Sequence, residues 1–164
     1  MEQDELYGSA VAAFGPALKR LARVYGADYE DVLQDIHFAL WRSLARFNGE
    51  CSLRTWVYRV AHNTAISSKL RRKKVTLTSL EQLAELPTDQ DTEHSVGQAQ
   101  AIAKIRALIA TLKPPDDQVM LLYLEDLDAH SIGEVTGLSP GAVATRIHRI
   151  KALLARRFGE GERP

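Results

Sequence analysis

Apolar residues recur along most of this chain at intervals of three and four, and no stretch sustains the period-two alternation of a half-buried strand. The pattern predicts a first helix over 4–25, with Leu6, Ala10, Ala13, Ala17, Leu21 and Val24 on one stripe. Gly26 interrupts it, and Asp28 is placed to cap a second helix over 29–46, with Val32, Ile36, Ala39, Leu40 and Leu44 turned inward. A short loop over 47–52 follows. Ser52 is placed to cap a third helix over 53–74, whose stripe is Leu53, Trp56, Val57, Val60, Ala61 and Ile66. The pattern then fails over 75–100, which contains Pro87, Thr88, Asp89, Gln90, Asp91 and Thr92. Within that linker Ser79 and Gln82 have the spacing of a capping box, enough for one helical turn. Helix resumes over 95–112 and is stopped by Lys113-Pro114-Pro115. Another spans 116–124, with Val119, Leu122 and Tyr123 available for packing. The expected fold class is all-α: two small helical domains, 1–74 and 101–164, joined by the linker 75–100. No internal repeat is present.

The last third carries a tighter signature. Ser131 followed by Glu134 reads as a capping box opening a short helix, and Gly137 suits the left-handed residue that closes one. Ser139 can cap the next helix, with Pro140 in its first turn, where a missing N–H costs nothing. Two helices joined by so short a break form a helix–turn–helix, the second continuing to Phe158. On that second helix Val143, Ile147, Ile150 and Leu154 share the packing face, leaving Thr145, His148 and Arg149 on the side that would enter a major groove. Arg149 and Thr145 can meet base edges or phosphates, while Arg146 and Lys151 suit backbone phosphates. The bland alternative is a solvated basic helix in a bundle.

Charge sharpens this picture. The formal net charge is zero, but residues 1–74 hold 12 basic and 8 acidic residues, 75–100 none and 5, and 101–164 hold 9 and 8. From Cys51 to Leu80 there are seven basic residues and no acid; from Ser139 to Phe158 there are five and no acid. Two basic stretches separated by an acidic connector suggest two nucleic-acid contacts. On the third helix Arg54, Trp56, Tyr58 and Arg59 mix rings with cations, which suits single-stranded nucleic acid. Trp56 keeps a second reading as core, since it shares a stripe with Val60. The run Lys69-Leu-Arg71-Arg72-Lys73-Lys74 also complements a helix C-terminus, though that accounts for only part of its charge. On the second helix Asp31, Gln34, Phe38 and Trp41 line one face, with Asp35 beside them. This is either a protein-docking surface or an ordinary acidic face with two aromatics dipping into the core.

Catalysis and metal binding find no support. The five histidines, His37, His62, His94, His130 and His148, are scattered without ligand spacing, and there is no glycine-rich phosphate loop. Cys51 is the single cysteine, which excludes an internal disulfide and a cysteine-based zinc site. No cofactor, no metal and no enzymatic activity are expected. No apolar run approaches the ~20 residues that span a bilayer. The acidic start Met1-Glu-Gln-Asp-Glu5 lacks the order of a signal peptide, so a cytoplasmic location without membrane insertion is expected.

Taken together, Asp31-Val-Leu-Gln-Asp-Ile-His-Phe-Ala-Leu-Trp41 and Phe47-Asn-Gly-Glu-Cys-Ser-Leu-Arg-Thr-Trp-Val-Tyr-Arg-Val-Ala-His-Asn63 resemble region 2 of extracytoplasmic-function (ECF) sigma factors of the sigma-70 family, group 4. The block from Leu112 to Phe158 is similar to their region 4. The resemblance covers nearly the whole chain in order. It implies a dissociable subunit that directs bacterial RNA polymerase to promoters. Residues 1–74 would dock on polymerase and melt the −10 element, using Asn48, Gly49, Ser52, Arg54, Trp56, Tyr58, Arg59, His62, Asn63, Lys69, Arg71 and Arg72. A flipped non-template base would sit between the loop 47–52 and Asn63. Residues 101–164 would read the −35 duplex through Ser139, Thr145, Arg146, His148, Arg149 and Lys151. Asp31, Gln34, Asp35, Phe38 and Trp41 would dock on the clamp helices of the largest polymerase subunit, which reverses the bland reading of that face. The flap of the second-largest subunit and an anti-sigma factor are the further partners implied. Ala142 and Ala144 depart from the family, which often has polar or basic side chains there, so readout would lean on Thr145, His148, Arg149 and DNA shape. Gly133 is expected to weaken the first helix of the motif. Two alternatives remain: a stand-alone helix–turn–helix regulator, which would not need the basic and aromatic third helix, and a helical adaptor, which would not need the acid-free stretches.

Overall fold

The computed structural model describes residues 2–24, 28–71, 79, 82, 85 and 97–158. Among them are seven helices: α1 (Gln3–Val24), α2 (Tyr29–Leu44), α3 (Leu53–Arg71), α4 (Gln98–Ala110), α5 (Asp116–Leu124), α6 (Ala129–Thr136) and α7 (Pro140–Phe158). The described residues include no strand, so the fold is all-α. The expected break at Gly26, the end of the third helix at 72–74 and nearly all of the linker lie outside the described residues. The linker's capping box does form: Gln82 N–H donates to Ser79 Oγ at 3.1 Å, and Ser79 N–H to Gln82 Oε1 at 2.9 Å. Two compact units result, one of Met1–Val75 with Glu134–Gly137 and one of Thr76–Gly133 with Leu138–Pro164.

In the first unit α1, α2 and α3 pack against one another in all three pairings. Of the α2 stripe, Val32, Ile36, Leu40 and Leu44 are essentially inaccessible as predicted, while Ala39 is half-buried. On α1 the buried set is Ala10, Ala17, Leu18, Leu21 and Ala22, while Ala13 faces solvent. Asp28 precedes α2 as expected, but its side chain makes no capping hydrogen bond. Tyr7 Oη and His37 Nδ1 lie 2.8 Å apart and tie α1 to α2; burial lowers the His37 pKa below its ordinary value.

The buried side of α3 is turned relative to the expected stripe. Val57 and Ala61 are inside as predicted, but Thr55, Tyr58, His62, Ala65, Ser68 and Lys69 are buried with them, and Trp56 and Val60 are only half-buried. The local start of α3 is as predicted: Ser52 Oγ accepts the Thr55 N–H at 3.1 Å, and the Ser52 carbonyl accepts the Trp56 N–H at 3.0 Å.

In the second unit α5 packs on α4 and on α7. Val119, Met120, Leu121 and Leu122 of α5, Ile132 of α6, and Val143 and Ile150 of α7 form its core with Ile109 and Leu112. Ile147 and Leu154, expected inward, are half-buried. The opening of α6 differs from expectation. Its cap is Asp128, whose Oδ1 accepts the Ser131 N–H at 2.8 Å while its carbonyl accepts the Ile132 N–H at 2.9 Å. Asp and Ser are near-equal N-caps, and the carboxylate also favours the positive end of the helix. The turn into α7 follows the sequence: Gly137 has φ 85°, and Ser139 Oγ accepts the Ala142 N–H at 3.1 Å.

Candidate nucleic-acid interface

Two surfaces gather the residues expected to meet DNA. The first lies at the loop before α3 and along its exposed side. Phe47 and Trp56 meet edge to face, ring centres 5.3 Å apart, and the Trp56 indole N–H donates to Ser43 Oγ at 3.0 Å. Trp56 therefore fastens the loop to α2 and α3 while keeping part of its ring accessible, a role between the two readings left open by the sequence. The loop is shaped by its own polar groups: Asn48 Oδ1 accepts the Glu50 N–H at 3.1 Å, and Gly49 sits at φ 81°, a backbone region that favours glycine. Asn48, Gly49, Ser52, Arg54 and Asn63 are exposed, Arg59 is half-buried, and the Ser52 hydroxyl serves as the helix cap. The α-helical repeat puts Asn63 two turns along the same side of α3 as Trp56, about 10 Å away.

Three residues assigned to this surface are not on it. Tyr58 is 6% exposed, His62 2% and Lys69 4%. The Tyr58 ring packs edge-on against Phe14 at 5.9 Å and tilted against His62 at 6.4 Å, so it belongs to the core. Ring-and-tip side chains and long lysine stems carry enough apolar surface to bury, which is why a mixture of rings and cations misleads. Arg72 lies outside the described residues. Arg71 is exposed and reaches the Asp35 carboxylate at 3.7 Å.

His62 Nδ1 is buried with no hydrogen-bond partner among the described residues, and desolvation lowers the ring's pKa to about 4. The ring is thus neutral in the folded chain at any pH above that. Between about 4 and 6.5 the unfolded chain binds the proton that the folded one refuses, so folding stability rises with pH across that window and is fully regained above it. The full difference is about 3 kcal/mol. Urea unfolding at pH 7 and pH 4.5 should show this loss in the natural chain, and a His62→Leu variant should lose markedly less stability over the same interval.

The second surface is α7. Thr145, His148, Arg149 and Lys151 are exposed, opposite the buried Val143 and Ile150. Thr145 Oγ1 donates back to the Gly141 carbonyl at 3.0 Å and remains able to accept. Lys151 Nζ donates to Tyr123 Oη at 3.2 Å and lies over the Tyr123 ring. Ser139 is exposed, but its hydroxyl caps the helix. Arg146 is a correction: its guanidinium is half-buried and pairs with Asp116 Oδ1 at 2.6 Å, joining α7 to α5. A short, partly shielded pair of this kind ties the cation to the fold.

The outer face of α2 carries Asp31, Gln34, Asp35, Phe38 and Trp41, all exposed. Phe38 is 60% exposed and Trp41 40%, and an arginine, Arg42, lies over the Phe38 ring. Neither aromatic dips into the core. No group of three or more metal-ligating side chains occurs among the described residues.

Comparison with known proteins agrees with this architecture. Residues 10–75 match the Sigma-70 region 2 family model and residues 102–154 the Sigma-70, region 4 model. The RNA polymerase sigma factor CnrH of Cupriavidus metallidurans is 28% identical over 161 residues, covering 91% of this chain and 84% of that one. The ECF RNA polymerase sigma factor SigM of Mycobacterium tuberculosis is 29% identical over 148 residues, covering 87% and 71%. The solved structure of CnrH in complex with the cytosolic domain of CnrY superimposes with a TM-score of 0.64 at 26% identity, over 92% of this chain and 85% of that one. The sigma factor RpoE, in its co-crystal structure with the anti-sigma factor NepR from Bartonella quintana, shares the fold with a TM-score of 0.68 at 16% identity, over 96% of this chain and 98% of that one. The chain belongs to the sigma-70 family as an ECF sigma factor, which gives RNA polymerase its promoter specificity.

Proposed function

We propose that the two units divide promoter recognition between them. Residues 1–74 dock on core polymerase and open the −10 element, residues 75–100 form an acidic connector, and residues 101–164 read the −35 element as a duplex. The loop with Asn48 and Gly49, together with Arg54, Trp56, Arg59, Asn63 and Arg71, meets the melted strand. Thr145, His148, Arg149 and Lys151 meet the duplex. The clamp helices of the largest polymerase subunit receive Asp31, Gln34, Asp35, Phe38 and Trp41, and the flap of the second-largest subunit receives the second unit. The observation that carries this reading is the pair of acid-free basic stretches, each with exposed cations on a helix whose other side is core. Two modest DNA contacts become one useful contact when a third body holds both at a fixed spacing.

An anti-sigma factor is the remaining partner, by analogy with the complexes formed by CnrH and RpoE. The setting is the cytoplasm, where a subunit of bacterial RNA polymerase would act; no described helix is long and apolar enough to cross a membrane. The chain acts through polymerase, with no catalysis of its own. Run-off transcription with core polymerase tests the reading. Initiation on a cognate promoter should require this chain and fall steeply with added salt, since phosphate contacts release counterions. Transcription no better with the chain than without it, on every template tried, would overturn the proposal.

A further inference from the structure

We propose that the docking surface on α2 is completed by the start of α1, where Gln3 and Asp4 act as positioning residues for Trp41. This rests on the reading of the α2 face as the polymerase contact. The Trp41 indole N–H donates to Asp4 Oδ1 at 2.9 Å, and the Gln3 side-chain amide donates to the Trp41 carbonyl at 2.8 Å. Both ends of the same residue are therefore held by adjacent residues of another helix.

The carbonyl bond has a local cause. Trp41 lies in the last turn of α2, where carbonyls run out of helical donors. The Ala45 N–H, which would close the next α-helical bond onto Trp41, is directed instead to the Arg42 carbonyl at 3.4 Å. Gln3 supplies a donor in its place. The indole bond has a different consequence. An exposed tryptophan that must enter a partner's pocket loses side-chain freedom on binding, and fixing it beforehand lowers that cost. Large aromatics are the usual anchors of protein interfaces, and Trp41 stands beside Phe38, the most exposed large hydrophobic residue described. Asp4 thus orients an anchor that the partner covers, without itself needing to touch the partner.

The test measures core polymerase affinity for the full chain by fluorescence anisotropy, alongside urea unfolding. Asp4→Ala should weaken capture about 3–10-fold, the range for one side chain that must be immobilised on binding. Asp4→Asn, which keeps an acceptor oxygen for the indole, should stay within about twofold of the natural chain on the same scale. In a Trp41→Phe background, where no N–H remains, Asp4→Ala should have no further effect. Asp35→Arg serves as the control for the docking face. Loss of capture in Asp35→Arg with full capture in Asp4→Ala would overturn the positioning role and leave the docking face standing. Full capture in Asp35→Arg would remove the docking face itself. Equal losses for Asp4→Ala with and without the indole N–H, or a loss matched by a lower urea midpoint, would also overturn the proposal.

Discussion

Replacing Gly133 with alanine is expected to destabilise the helix–turn–helix by about 1–3 kcal/mol, the usual cost of forcing an extra carbon into a packed site. Helix propensity alone says the opposite, because alanine is better than glycine in a helix interior by roughly 1 kcal/mol. The packing decides the sign. A Cβ on Gly133 would lie 2.6 Å from the Leu138 carbonyl oxygen, with the Leu138 carbonyl carbon at 3.7 Å and the Pro140 nitrogen at 3.8 Å. Leu138 cannot retreat cheaply. It stands between Gly137, at φ 85°, and Ser139, whose hydroxyl and carbonyl hold the Ala142 and Val143 N–H groups at 3.1 and 3.0 Å. Relief of the clash would have to break that cap or open the turn, and the turn aims α7. Thermal or urea unfolding should show the loss of stability, and transcription from a promoter that depends on its −35 element should fall with it. A Gly133→Ala chain that unfolds later than the natural one would mean that the turn does not press on α6.

Gly133 also shows what the sequence could not disclose. Read locally, it is a weak residue in a short helix; its reason is a carbonyl five positions further on. The same limit explains other differences. Ser52, Gly137 and Ser139 were legible because capping and left-handed turns are local chemistry, set within three residues. The α2 stripe was legible because four large aliphatic residues at helical spacing leave one way to pack. Asp128 was hidden by a second good candidate, Ser131, three residues later. Arg146 was hidden because its partner, Asp116, is brought in by the packing of α5 on α7. On α3 the stripe gave a poor compass. Its inner side is completed by Tyr58, His62, Ser68 and Lys69, residue types that pattern reading assigns to a wet surface. The outer face of α2 shows the reverse case. Spacing alone leaves open whether Phe38 and Trp41 face solvent; the resemblance to a family implies that they do, and both are exposed.

Asn63→Ala is expected to reduce promoter opening about 10–100-fold, the worth of one good amide-to-base pairing, while core polymerase is captured as before. Extracting a base from the stack costs a few kcal/mol, which its pocket must return through contacts made only after the base has left the duplex. Asn63 has the means to do so. It is exposed on α3, and its amide offers both donors and an acceptor to a base edge. The loop proposed as the other wall is braced by its own contacts. Phe47 is braced on Trp56, Trp56 is bonded to Ser43 on α2, and Asn48 bonds within its own loop to Glu50. A loop braced this way would lose little freedom when a base enters, so the lost amide should appear in opening rather than in assembly. Asn63 stands on α3, whereas the face proposed for polymerase capture is on α2. Permanganate reactivity of non-template thymines reports opening, and co-purification with core reports capture. Loss of both together would mean that Asn63 supports the fold or the polymerase contact rather than the captured base. Loss of reactivity alone, restored in part on a template already opened as a bubble, is the result this pocket requires, because the bubble removes the cost that Asn63 helps to meet.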